Sequence, residues 1–274
     1  MSARANQSII PGSPALMVDQ AGSGELLLFL HGIGGNRSNW AEQMAAFSQS
    51  HHTVALDTRG YGGSEDYEGD ASFDIFADDV LRVLDFFGAA KAHICGLSLG
   101  GRIAQRFYAR HPARVASLIL ADSRPDTVDT RSKEDRDAFF NSRAKPLLEG
   151  KKPSDIAERI ARSLAAPQAS KDALDRLIES ISALRGQSYL KAIRANLDDD
   201  YAGDVGAIRV PTLIIVGEHD TLTPPDLSRQ INRNIVGSEL VVIAGAGHLS
   251  NIEKPDAFNA AMATFLTRLP AIPA

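Results

Sequence analysis

The stretch Gly96-Leu97-Ser98-Leu99-Gly100-Gly101 limits the possible fold more than any other in the chain. Ala92-His93-Ile94-Cys95 before it is a short apolar run of strand type. Arg102 to Arg110 after it has helical character and stops at Pro112. The pattern predicts a strand, a very tight turn and a helix, with Ser98 at the apex. A serine held in a strained backbone conformation leaves no room for side chains two residues away, and Gly96 and Gly100 stand at those positions. Such a turn lifts the hydroxyl clear of the sheet. It also places the Leu99 N–H at a helix N-terminus, where it can donate to an oxyanion.

The flanking segments repeat this strand-then-helix logic. Glu25 to Leu30 runs apolar without alternation, as in a parallel strand buried on both faces, and ends in the Gly-rich loop His31 to Asn36. Thr53 to Leu56, Val115 to Ala121, Val210 to Val216 and Glu239 to Ile243 read in the same way. Trp40 to Phe47 and Pro255 to Leu269 read as helices. Phe73 to Phe87 keeps helical spacing between an N-cap at Ser72 and a stop at Gly88. Around Pro11-Gly12-Ser13-Pro14 the flanks predict an antiparallel hairpin, and the tail after Pro270 reads as loose. The expected fold class is α/β, a mostly parallel sheet of about eight strands with helices on both faces. From Pro125 to Asp204 there is no strand candidate. Ser154 and Ser170 read as N-caps, and apolar residues recur at helical spacing. This predicts a core of residues 1–124 plus 205–274 and a helical cap, or lid, of residues 125–204.

Three polar residues fall at predicted strand ends in the order Ser98, Asp220, His248. A serine hydroxyl is a poor nucleophile at neutral pH and needs a base within hydrogen-bond reach. His248 can supply that base, and Asp220 can hold its tautomer and stabilise the imidazolium. Asp122 also ends a strand and is the alternative acid. The Ile33 N–H, in the loop after Leu30, is the second oxyanion donor beside Leu99.

On these residues the chain resembles the α/β-hydrolase superfamily. The motifs are His31-Gly32-x-Gly34, Asp57-x-Arg59-Gly60-x-Gly62-x-Ser64, Gly96-x-Ser98-x-Gly100-Gly101, and Gly217-x-x-Asp220 with Gly247-His248. The segments around Ser98 and Asp57 most resemble the 3-oxoadipate enol-lactonase and small-molecule carboxylesterase branch. The resemblance implies a cofactor-free serine hydrolase of small carboxylic esters or lactones, with Ser98 as nucleophile, Asp220 as acid and His248 as base. The same triad also serves carbon–carbon bond hydrolysis of β-diketones and perhydrolase-type chemistry, and a receptor-like ligand-binding module is the non-enzymatic alternative.

Composition narrows the partners. The 274 residues carry 29 Lys+Arg and 34 Asp+Glu, a net charge of -5, which argues against nucleic acid or an anionic membrane as the main partner. No apolar run is long enough to span a bilayer, and the polar N-terminus has no signal core. Cys95 is the sole cysteine, so the expected compartment is a reducing cytoplasm. No residue spacing suggests a metal site. Self-association into a homo-oligomer is left open. Arg102, one helical turn after Ser98, is a candidate for a substrate carboxylate, with a structural salt bridge as the competing role. Trp40, Phe139, Phe140 and Tyr189 are candidates for a pocket wall, with core packing as the competing role. Cys95 reads as a core residue near enough to the turn to feel thiol reagents.

Overall fold

The computed structural model describes residues 5–272 apart from 128 and 130. The hairpin around Pro11–Pro14 pairs β1 (Asn6–Ile10) with β2 (Leu16–Ala21). They join β3 (Leu26–Leu30), β4 (His52–Leu56), β5 (Ala92–Leu97), β6 (Val115–Ala121), β7 (Thr212–Gly217) and β8 (Glu239–Ile243). The eight strands form one sheet in the order β1-β2-β4-β3-β5-β6-β7-β8. The β1–β2 and β2–β4 pairs are antiparallel, and all others are parallel.

The unbroken apolar run of β3 follows from its place in the middle of this sheet. Leu26, Leu28 and Leu30 pack on one face with α2 (Phe73–Phe86) and α3 (Leu99–Arg110), as does α8 (Pro225–Asn234) through Ile231. Leu27 and Phe29 pack on the other face with α1 (Ala41–Phe47) and α9 (Pro255–Leu266), through Met44, Phe258 and Met262. A strand covered on both sides has no polar face to show, so period-two alternation is absent. Ser72 caps α2 by accepting from the Ile75 N–H at 3.2 Å, as its sequence position predicts.

Between β6 and β7 the described residues contain no strand. They form α4 (Lys133–Leu148), α5 (Pro153–Leu164), α6 (Lys171–Ser182) and α7 (Gly186–Asp198). Ser170 caps α6, accepting from the Ala173 N–H at 3.1 Å. Ser154 does not cap α5. That helix begins one residue earlier, at Pro153, whose missing N–H and fixed φ suit the first helical position. Both ends of the insertion are tied to α3. Arg102 and Arg106 each bridge Asp126, which precedes α4, and Asp199, which follows α7.

The tail is not loose up to its last described residue, because the Ile272 N–H donates to the Glu25 carboxylate. The fold also gathers three groups that are far apart in sequence. Glu25, His51 and His93 bring one ligand-type atom each within 4.8 Å of one another, at the end of β3 and β5 opposite Ser98. There His93 Nε2 lies 3.1 Å from Glu25. No described helix is long and apolar enough to cross a membrane.

Candidate active site

Loops at the carboxyl ends of the parallel strands converge on Ser98. The residue sits at φ 81° and ψ −104°, between the end of β5 and the first turn of α3. Close backbone approach explains its neighbours. A Cβ on Gly96 would lie 2.1 Å from the Gly100 carbonyl oxygen, and one on Gly100 would lie 2.2 Å from the Leu30 carbonyl oxygen. Two glycines therefore let β5 turn directly into a helix that packs against the end of β3.

His248 follows β8 and Asp220 follows β7. The ring Nε2 of His248 lies 3.0 Å from Ser98 Oγ, and Nδ1 lies 2.8 Å from Asp220 Oδ2. An ionised Asp220 can only accept, so Nδ1 carries the proton. In the neutral ring Nε2 is then the acceptor for the Ser98 hydroxyl. Asp220 is itself held by the N–H groups of Leu222 and Thr223, both at 2.9 Å, and by the Thr223 hydroxyl at 2.6 Å. Burial alone would lower the basicity of His248. The charge and hydrogen bond of Asp220 outweigh it, with smaller help from Asp122 and Glu253, and the ring titrates above its usual value. Burial would likewise raise Asp220, but His248 and the Thr223 hydrogen bonds hold its carboxyl below the usual range.

Asp122 is fully buried beside this pair but faces elsewhere. It accepts from the Gly217 N–H at 2.8 Å and from the Ser250 hydroxyl at 2.6 Å, and it braces the turns that carry Asp220 and His248. Burial and then the nearby Asp220 charge push its carboxyl upward. The His248 backbone is anchored as well. Its N–H donates to the Leu164 carbonyl at 2.8 Å, and the buried Glu253 carboxylate accepts from Gly247 at 3.1 Å and Ala166 at 2.8 Å.

Opposite His248 lies the loop after β3. Among the described residues, neither the Ile33 nor the Leu99 N–H donates to a protein acceptor. The buried His31 ring fixes this loop: Nδ1 lies 2.7 Å from the Gly32 carbonyl, and Nε2 accepts from the Thr58 N–H at 3.1 Å. Ser98, His248 and Ile33 line a cavity of about 430 Å³ whose roof is built from α4 to α7, including Phe139, Leu177 and Tyr189.

A profile of the alpha/beta hydrolase fold matches residues 25–255. The chain is an α/β hydrolase. The enzyme is 29% identical to 3-oxoadipate enol-lactonase 2 of Acinetobacter baylyi over 88% of each chain. It is 31% identical to the AB hydrolase superfamily protein YisY of Bacillus subtilis, over 91% of this chain and 94% of that one. Among solved structures it is similar to a thermophilic esterase from Thermogutta terrifontis, with a TM-score of 0.86 and 26% identity over 97% of this chain and 99% of the other.

Two sequence candidates for substrate contact in this hydrolase prove to be otherwise engaged. Trp40 does not reach the cavity. It is fully buried, with its ring stacked on Phe29 at a centroid distance of 4.9 Å. Arg102 borders the cavity, yet Asp126, Asp199 and the Asn196 side chain take its guanidinium, which also stacks 4.0 Å from the Phe73 ring centroid. Phe139 and Tyr189 line the cavity, whereas Phe140 packs under the Arg194 guanidinium. Cys95 is fully buried, and burial pushes its thiol well above the ordinary value. Thr223, Glu253 and Arg143 were not singled out from the sequence. Thr223 carried a usable signal, since a threonine three residues after a turn aspartate can close an Asx-type turn. Glu253 and Arg143 carried none: Glu253 reaches Ala166, 87 residues away, and nothing beside Arg143 in the chain marks it as buried.

Proposed function

We propose that this hydrolase cleaves small-molecule carboxylic esters or lactones through an acyl-enzyme. The observation that carries the reading is the continuous hydrogen-bonded line from Ser98 Oγ through His248 to Asp220. Ser98 Oγ attacks the carbonyl carbon while its proton passes to His248 Nε2. The carbonyl oxygen becomes an oxyanion facing the Ile33 and Leu99 N–H groups. Collapse breaks the carbon–oxygen ester bond, and the leaving oxygen takes the proton from Nε2. In a lactone that oxygen stays tethered to the acyl group. Water then attacks the acyl-Ser98 carbonyl, gives a proton to His248 and releases the acid with Ser98 restored. Each step uses protein groups and water alone. In this reading residues 125–204 act as the cap that shapes the acyl site, and a reducing cytoplasm suits the lone cysteine.

Similarity to an enol-lactonase and an esterase supports the reaction class. The test is labelling with a fluorophosphonate followed by peptide mapping, together with a panel of esters, lactones and a β-diketone. One adduct on Ser98, absent in Ser98→Ala and strongly reduced in His248→Gln, is the expected result. Turnover of esters by Ser98→Ala would defeat the proposal.

A further inference from the structure

At the end of the sheet opposite Ser98, three side chains that take no part in the proposed hydrolysis converge. Glu25 leads into β3, His51 stands in the loop between α1 and β4, and His93 lies near the start of β5. Backbone pairing holds each of them. The Glu25 carbonyl accepts from the His52 N–H at 3.0 Å, the His51 N–H donates to the Phe47 carbonyl at 2.9 Å, and His93 is in register with Leu27 of β3. Each offers one ligand-type atom, and these atoms lie within 4.8 Å of one another.

The surrounding hydrogen bonds leave the right atoms open. His93 Nδ1 lies 2.8 Å from Ser117 Oγ, and His51 Nδ1 lies 2.8 Å from Ser50 Oγ. A hydroxyl can accept as well as donate, so each serine can hold the tautomer with its proton on Nδ1. That tautomer presents the Nε2 lone pair, and such an oxygen on the second ring nitrogen is the usual support of a metal-bound histidine. His93 Nε2 lies 3.1 Å from Glu25 Oε2, and among the described residues His51 Nε2 has no hydrogen-bond partner. No lysine or arginine among the described residues pairs with Glu25, whose ion-pair contact is to His93. Glu25 Oε1 is used separately, as the acceptor for the Ile272 N–H.

We propose that Glu25, His51 and His93 bind one zinc ion, with water in the fourth position. Tetrahedral coordination at about 2.0–2.2 Å sets ligand atoms roughly 3.4 Å apart. The Glu25–His93 edge is near that value at 3.1 Å. The other edges, all within 4.8 Å, need to close by at most about 1.4 Å, which side-chain rotation can supply. Two imidazoles and a carboxylate suit zinc, whereas magnesium and calcium favour oxygen ligands throughout. The ion would tie the start of β3 to the α1–β4 loop and to β5, and through Glu25 to the C-terminal segment at Ile272. Its position away from Ser98 gives it a role in stability, and the site stands whether or not the proposed hydrolysis does.

The test titrates zinc chloride calorimetrically into metal-stripped wild type, His51→Gln, Glu25→Gln and His93→Gln at about pH 7.5, where free imidazole is mostly neutral. The same proteins are melted with zinc and with EDTA. Wild type should bind one zinc and gain roughly 5 °C in Tm when free zinc exceeds Kd by about a hundredfold. His51→Gln should weaken binding by about a hundredfold or more and lose the zinc-dependent gain in Tm. Anomalous diffraction at the zinc edge should place the ion between the three side chains. A Glu25–His93 hydrogen bond with no metal role predicts a wild-type Tm that is the same in zinc and in EDTA, and that result would overturn the proposal. Equal zinc affinity in wild type and His51→Gln, or zinc found at His248 or His219 instead, would overturn it too. If His93→Gln, with its buried ring, does not fold, the half-buried His51 still carries the comparison.

Discussion

Asp122 and Asp220 follow adjacent parallel strands, yet only Asp220 touches the His248 ring, with its Oδ2 at 2.8 Å from Nδ1. Asp122 spends both oxygens on Gly217 and Ser250. Replacing the two should therefore have different effects. Asp220→Asn should lower kcat by about 10⁴-fold, because an amide no longer fixes the Nδ1–H tautomer. Asp122→Asn should lower kcat by less than about tenfold but lower stability by roughly 1–3 kcal/mol, since its amide group faces the Ser250 donors. Steady-state kinetics and chemical denaturation of both variants give the comparison. The opposite ranking of kcat would assign the acid to Asp122.

The titration of His248 gives the expected pH dependence. With His248 as the proposed base, the reaction needs the neutral ring, so kcat/KM should rise with pH through a midpoint above the usual ~6.5 of histidine. In Asp220→Asn burial acts with less opposition, and that midpoint should move down. Stability follows the opposite sense. A raised folded-state pKa stabilises below the unfolded value and loses that contribution as pH rises through the folded one. The Tm advantage of wild type over His248→Gln should thus be greater at about pH 5 than at about pH 9. Asp220, being depressed, contributes above the ordinary carboxyl value and loses that contribution as pH falls through its folded value. Equal Tm differences at both pH values would contradict the assignment.

Strain at the turn should be measurable as stability. Ser98 holds a positive φ that glycine adopts freely. Ser98→Gly should abolish esterolysis and raise the unfolding free energy by about 1 kcal/mol, and Ser98→Ala should abolish it without that gain. Gly96→Ala places a methyl 2.1 Å from a backbone oxygen. It should destabilise the fold by about 3 kcal/mol. Urea titrations resolve these differences, and a Gly96→Ala protein of unchanged midpoint would remove the close-approach argument.

Cys95 should be inert in the native protein. Its thiol is fully buried and its ionisation is suppressed. A chromogenic disulfide reagent should titrate no thiol under native conditions and one in denaturant. Rapid native reaction would show that β5 opens.

Much of the fold was legible because buried parallel strands announce themselves: β3 and β7 are unbroken apolar runs ending in Gly-rich turns. Ser98, Asp220 and His248 stood out because each lies in a short glycine-containing motif, and around Ser98 the glycines have local causes. The Gly96 and Gly100 contacts lie within a few residues or on the adjoining strand. Partnerships across the molecule were not legible. For Arg102 the sequence offers both a substrate contact and a structural salt bridge, and the partners that make it the latter, Asp126 and Asp199, lie 24 and 97 residues away. Arg143 is buried on α4 without a local sign of it, since nothing nearby in the chain tells whether a helix of the insertion turns a residue inward. For Trp40 the sequence leaves pocket wall and core packing side by side: a helix-flanking aromatic shows its face only once Phe29 is stacked on it.

The bond from the His248 N–H to the Leu164 carbonyl joins the roof of the cavity to the residue proposed as the base. The neighbouring clamp of Glu253 on Ala166 and Gly247 reinforces the junction. A protein engineer who exchanged the whole insertion for a relative's to change substrate preference would also remove the acceptor that orients this loop. Selectivity and turnover are therefore not separable modules in this chain. A workable graft would keep Leu164 to Ala166 and replace only the helices around them.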